Sequence, residues 1–201
     1  MLYVTTRTNH DAFTVRHALE KSRGSDGGFY LPFRMPHYDA QQLDIFAEKT
    51  IGEGIAEILN CFFPAGLSAW DVDFAIGRNP IKLVTMSHKI MVAECWHNTD
   101  SDISRLIANL SDRVADSACG ISGASSWTKI AIRIAVLFAV YGEILRQKLI
   151  TRGQLFDIAV SADDFSILMS AYYARSMGLP VGAVLMVATL FVIKKVSAKK
   201  A

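Results

Sequence analysis

The amino-acid sequence predicts an α/β protein: a mostly helical N-terminal module with short strands, followed by a parallel α/β lobe. Short apolar segments typical of strands alternate along the chain with segments in which apolar residues recur every three or four positions, as in helices. The last apolar segment, residues 182–189, is continuous and uncharged. Such a run is typical of a strand in a parallel sheet that is covered on both faces.

In the N-terminal module, residues 2–6 and 29–31 are predicted to be short strands. A helix is predicted over 11–22, and Gly27 and Gly28 are expected to turn the chain into the second strand.

Three further helices complete this module. Asp39 and Ser68 are placed to cap the first and the last of them, and apolar residues from Ile51 to Phe62 recur at helical spacing between the two. The turn-forming residues 77–80 then predict a boundary between two domains, 1–79 and 80–201.

The second domain is predicted to alternate strands and helices, with parallel pairing. Its expected elements are a hairpin of 81–85 and 90–95, a helix over about 100–114, the longest helix over about 126–148, a strand over 156–161, a helix over 164–176 closed at Gly178, and a final strand over 182–189.

Composition excludes several classes of function. The chain has 201 residues, 51% of them apolar, which is ample for a buried core. The net charge of +2 gives no nucleic-acid footprint. Three widely spaced cysteines and a polar N-terminus without a leader-like apolar run favour a reducing, cytoplasmic location. The apolar run 179–193 is about 15 residues long, shorter than the roughly 20 that a membrane-spanning helix needs.

Five stretches, in order along the chain, resemble the threonine synthase family. The two near the N-terminus are similar to the family's Y-x-S-T-R-G and D-G-G-L-Y-x-P, and the three others to its E-L-F-H-G-P-T-x-A-F-K-D, N-S-I-N-W-A-R-I and Y-Y-A-K-K-M-G-L-P. The matching residues are Leu2–Arg7, Asp26–Pro32, Glu94–Arg105, Trp127–Ile130 and Tyr172–Pro180. The resemblance implies a fold-type II pyridoxal phosphate (PLP) enzyme, here shortened, because a small lobe before Trp127 and the family's C-terminal part have no counterpart.

The residues that the family uses for PLP are replaced here. The position of its Schiff-base lysine falls on Ser104, whose hydroxyl cannot form an imine. Its phosphate loop, G-N-F-G-N, falls on Asp163, Asp164, Phe165, Ser166 and Ile167. Each carboxylate would repel a phosphate a few Å away by about 1 kcal/mol even in a water-like dielectric. We therefore expect no PLP cofactor and no threonine synthase activity from this chain alone.

Other chemistry has weaker support. Asp163 and Asp164 are better interpreted as caps of the following helix than as metal ligands. The resemblance explains His97 without a present catalytic role, and Ser104 lacks the surroundings of a nucleophile. The remaining histidines show no metal-binding spacing, so no metal is expected.

The sequence therefore predicts a threonine-synthase-like pseudoenzyme that acts as a binding or assembly protein. The alternatives are one half of a related enzyme, completed by a partner chain or using a site near His97, and a decayed product without function. A homo-oligomer or a protein partner is expected to cover two apolar surfaces. These are the helix stripe Ile130, Ile134, Leu137, Phe138 and Tyr141, and the strand Val184–Val187 with Leu190, Phe191 and Val192.

Overall fold

The computed structural model describes residues 1–8, 10–21, 23–77, 81–87, 90–95, 126–161 and 165–187, and it confirms the α/β class. In chain order the elements are β1 Tyr3–Thr5, α1 Val15–Glu20, β2 Tyr30–Pro32, α2 Ala40–Asp44, a 3₁₀ turn Ile45–Ala47, α3 Ile51–Phe62, α4 Ala69–Ile76, β3 Ile81–Ser87, β4 Ile90–Cys95, α5 Ser126–Arg146, β5 Phe156–Ser161, α6 Phe165–Ser176 and β6 Val181–Val187. The helix predicted over 100–114 lies outside the described residues.

The predicted caps of α2 and α4 are confirmed. The Asp39 carboxylate accepts a hydrogen bond from the Gln42 N–H, and the Ser68 hydroxyl accepts one from the Asp71 N–H, each within a reciprocal capping box. Thr50 caps α3 in the same way.

Helix α1 begins later than the sequence suggests. Thr14 caps it, and the residue before, Phe13, exchanges two backbone hydrogen bonds with Tyr3 of β1, at 2.9 and 2.7 Å. These bonds hold the chain extended up to the cap, so the prediction of a helix from residue 11 was wrong at its start.

Each strand pairs with one other strand among the described residues. The pairs β1–β2 and β3–β4 are antiparallel, the second being the predicted hairpin. The pair β5–β6 is parallel, as predicted, with α6 as its crossover. Parallel pairing is therefore confined to the C-terminal part of the described chain.

Helix α5 forms the centre of the molecule, packed between α3 and α6. Its residues Ile130, Ile134, Phe138 and Tyr141 are buried, and they belong to one core that also contains residues of the N-terminal module. The expectation that this stripe needs a partner chain was therefore wrong, because α3 and the 3₁₀ turn cover it. The division into two domains at residue 79 stays a prediction.

The other predicted apolar surface is exposed in part, while its residues Leu190, Phe191 and Val192 lie outside the described residues. Leu185, Met186 and Val187, at the end of β6, are 54%, 49% and 45% exposed. Among the described residues, no helix has the length and apolar character needed to cross a membrane.

Candidate functional site

The carboxyl end of the parallel pair β5–β6 is the expected position of a ligand site. Ligands of open α/β sheets bind beyond the carboxyl ends of the strands, near helix N-termini. Here β5 ends at Ser161, β6 ends at Val187, and α6 begins at Phe165. The N-terminal half of α5 runs beside this end of α6 and supplies Arg133.

Three polar side chains join α5 to the first turns of α6. Arg133 Nη1 donates a hydrogen bond to the Ser166 hydroxyl. The fully buried Ser170 hydroxyl lies 3.2 Å from the Ile130 carbonyl and 2.7 Å from the Ser166 carbonyl, both of which are acceptors. Because buried hydroxyls are costly when unpaired, the contacts of Ser170 with Ile130 and of Ser166 with Arg133 favour this packing of α6 on α5.

The start of α6 differs from the PLP phosphate loop that the resemblance implies. Such a site needs glycines, so that backbone N–H groups can surround the phosphate at the helix start. Ser166 stands where the family's second loop glycine falls, and its hydroxyl is bonded to Arg133. The described start of α6 therefore lacks one of the glycines that the resemblance places in the phosphate loop.

Trp127, at the start of α5, has a structural role. The ring is buried and meets Phe62 and Tyr173 edge to face, with centroids 5.2 and 5.5 Å apart. Burial raises the pKa of Tyr3, and the nearby indole of Trp127 partly offsets that rise. The indole N–H itself has no acceptor in hydrogen-bond geometry among the described residues. This tryptophan thus packs the N-terminal module against α6.

Asp26 stabilises the N-terminal turn that contains Gly24, Gly27 and Gly28. Its carboxylate accepts hydrogen bonds from the Thr5 hydroxyl, from the Gly28 N–H at 2.8 Å and from the Thr8 hydroxyl at 3.2 Å. The bonds from Thr5 and Gly28 lower the pKa of Asp26. A Cβ at Gly24 would lie 2.6 Å from the Thr5 methyl group. The motif therefore works as a tight turn, as the sequence predicted for its glycines.

Most predicted site residues cannot be placed in this arrangement. His97, Ser104, Asp163 and Asp164 lie outside the described residues. Phe165, Ser166 and Ile167 form the first turn of α6.

The described histidines do not come together as metal ligands. His17 Nε2 lies 3.1 Å from the Tyr30 hydroxyl, and the ring stacks on Phe13. His37 Nδ1 lies 3.4 Å from the Ser176 carbonyl. Within the described ranges, no group of three or more His, Cys, Asp or Glu residues is arranged to hold a metal.

Sequence reasoning missed two pairings, one at the start of α6 and one at the N-terminal turn. The contact of Arg133 with Ser166 joins residues 33 positions apart, and that of Thr5 with Asp26 joins residues 21 apart. The available signal for the first was an arginine within an otherwise apolar stretch of a long helix, where a charged side chain needs a partner.

Comparison with known proteins identifies relatives of both parts of the chain. Residues 2–78 match the family model described as threonine synthase N terminus. The structure is similar to that of a PLP-bound threonine synthase from Brucella melitensis, with a TM-score of 0.74, 17% sequence identity and 92% of this chain covered. It is also similar to a threonine synthase from Escherichia coli, with a TM-score of 0.73, 13% identity and 92% of this chain covered.

The similarity extends over only part of each of the two threonine synthases. The chain spans 60% of the length of the Brucella protein and 63% of that of the Escherichia protein. A comparison with curated protein sequences gives no match. At these identities the structural likeness concerns the fold, while the family-model match covers the N-terminal module.

Proposed function

We propose that this chain is a non-catalytic member of the threonine synthase family that acts as a binding or assembly protein, because its residues 2–78 match the family's N-terminal model and its fold is similar to that of two threonine synthases. One observation carries the proposal: Ser104 stands where the resemblance places the Schiff-base lysine. Only a primary amine can form an imine with the PLP aldehyde, so this position cannot hold the cofactor covalently.

The start of α6 supports the same proposal independently. The phosphate loop that the resemblance implies has two glycines, and in this chain the second of these positions is Ser166. In the sequence, Asp163 occupies the first glycine position and adds a negative charge. Loss of the lysine and loss of the loop are separate changes, and both act against PLP.

Borohydride trapping tests this proposal. The purified chain, incubated with PLP and reduced, is expected to carry no pyridoxyl group at a stoichiometric site and to form no threonine from phosphohomoserine. The matched variant Ser104→Lys restores the amine alone. We expect it to remain inactive, because the loop at the start of α6 is unchanged. Turnover by that variant, or stoichiometric labelling of the natural chain, would contradict the proposal.

A second candidate is an enzyme half that a partner chain completes. The observation in its favour is length, since the chain spans 60% of the PLP-bound Brucella relative while keeping its fold. In that case, the complex isolated from the native host would show an aldimine that the isolated chain lacks. A colourless complex that stays colourless with PLP would exclude this candidate. A site near His97 remains an alternative from the sequence alone.

The proposed location is the cytoplasm. Among the described residues, Cys61 and Cys95 are free thiols, and burial raises the pKa of Cys95 to about 11. A thiol that stays protonated is a poor nucleophile for disulfide exchange, which suits structural cysteines in a reducing compartment.

A further inference from the structure

Strand β6 has apolar side chains that the described part of the chain leaves exposed. The inward residues Ile158 of β5 and Val184 of β6 pack against the core. On the opposite face Ala159 is paired in register with Leu185, and both are exposed, as is Val187 two residues further along. A sheet of two strands is marginal by itself, so a further strand at the edge of β6 would stabilise it.

The charge pattern distinguishes β6 from the other long strands. Proteins protect exposed strand edges with charged residues, which oppose pairing with another chain. Each of the other three long strands carries one: Lys82 on β3, Glu94 on β4 and Asp157 on β5. Strand β6, from Val181 to Val187, has no charge and no proline. Among the described strands of six or seven residues, it alone lacks such protection.

We propose that β6 is the self-association site of this chain and pairs edge to edge, antiparallel, with β6 of a second copy. A two-fold interface brings the same strand from both copies together, so any charge on it would face a like charge. An uncharged strand avoids this repulsion. The result is a continuous four-stranded sheet, β5–β6 joined to β6–β5 of the second copy.

This inference rests on the proposed assembly role and names its partner, yet the two fail separately. Detection of a PLP aldimine would overturn the proposed function, but it would leave the oligomeric state measured by sedimentation unchanged. A PLP-free monomer would overturn the self-association alone.

The test is sedimentation equilibrium of the full chain at micromolar concentration, with two matched variants. Leu185→Lys puts a charge on β6, and Ala159→Lys puts one on the same sheet face of β5, at the residue paired with Leu185. The natural chain and Ala159→Lys are expected to be dimers. Leu185→Lys is expected to weaken the dimer by about a hundredfold or more, because it puts a positive charge on each of the two strands that pair and these like charges repel each other.

The other outcomes contradict edge pairing. If both variants dissociate the dimer, the copies stack face to face; if neither does, another surface joins them. A monomeric natural chain also contradicts it. In that case hydrogen exchange distinguishes open β6 amides, available to a different protein, from amides that another part of the same chain protects. Should Leu185→Lys fail to fold, exchange on the natural chain decides, since dimerisation requires protection of Leu185–Val187 that rises with protein concentration.

Discussion

At the scale of single residues, Asp26 shows how a carboxylate stabilises a glycine turn. It joins β1 to the turn through hydrogen bonds from Thr5, Thr8 and Gly28. The bonds from Thr5 and Gly28 lower its pKa in the folded chain. A depressed carboxyl pKa contributes stability above the unfolded pKa, near 3.9, and that contribution is lost as the pH falls through the folded value.

We therefore expect Asp26→Asn to lower the melting temperature at neutral pH, because the carboxylate is the better acceptor for these bonds. The difference from the natural chain should shrink as the pH falls below about 4, where the natural carboxyl is also protonated. Melting temperatures of both proteins from pH 7 to pH 2 measure this. Asp11→Asn is the control, since Asp11 is exposed. A difference that stays constant with pH would show that Asp26 acts by shape alone.

Gly178 is the second residue whose replacement has a clear expected effect. Its φ is 108°, and an added Cβ would meet the carbonyl oxygen of Tyr38. Gly153 also has a positive φ, of 71°, but open space around it.

Gly153→Ala should cost about 1–2 kcal/mol, from backbone strain. Gly178→Ala adds a steric clash with backbone and should cost clearly more. Urea unfolding of both variants measures the difference. Equal losses would mean that the contact of Gly178 with Tyr38 relaxes without cost.

At the scale of elements, the starts of α2 and α4 were predictable, whereas the start of α1 was not, because it depends on the pairing of Phe13 with Tyr3. Asp39 and Ser68 were identified from the sequence alone, because a cap depends on residues only three positions apart. Asp163 and Asp164 were interpreted by the same reasoning but lie outside the described residues, so their role as caps stays a prediction.

Alanine substitution compares these positions directly. Asp39→Ala, at a cap present in the structure, should lower the free energy of unfolding by about 0.5–2 kcal/mol. If Asp163 or Asp164 caps α6, replacing the better placed of the two with alanine should lower the free energy of unfolding by a similar amount. Thermal melts of the three variants provide the measurement. Unchanged stability of both the Asp163 and the Asp164 variants would contradict the cap interpretation and would favour a ligand-binding role for these carboxylates.

At the scale of the whole molecule, local pattern predicted the elements, and packing between distant segments determined the rest. The long helix, β5 and the hairpin follow from periodicity within each segment. That α5 is enclosed by α3 and the 3₁₀ turn depends on residues up to about a hundred positions away, as when Arg146 donates to the Ala47 carbonyl. For the same reason, the sequence showed that the start of α6 differs from the family's phosphate loop, but it did not reveal the hydrogen bond from Arg133 to Ser166.

The central claim, that this threonine-synthase fold works without PLP, is tested most directly by visible absorption. An internal aldimine absorbs in the visible range, whereas free PLP can be removed by dialysis. The purified chain, saturated with PLP and then dialysed, is predicted to show no aldimine band, because Ser104 offers no amine and Ser166 occupies a loop glycine position. A stable visible band with one PLP per chain would contradict the account.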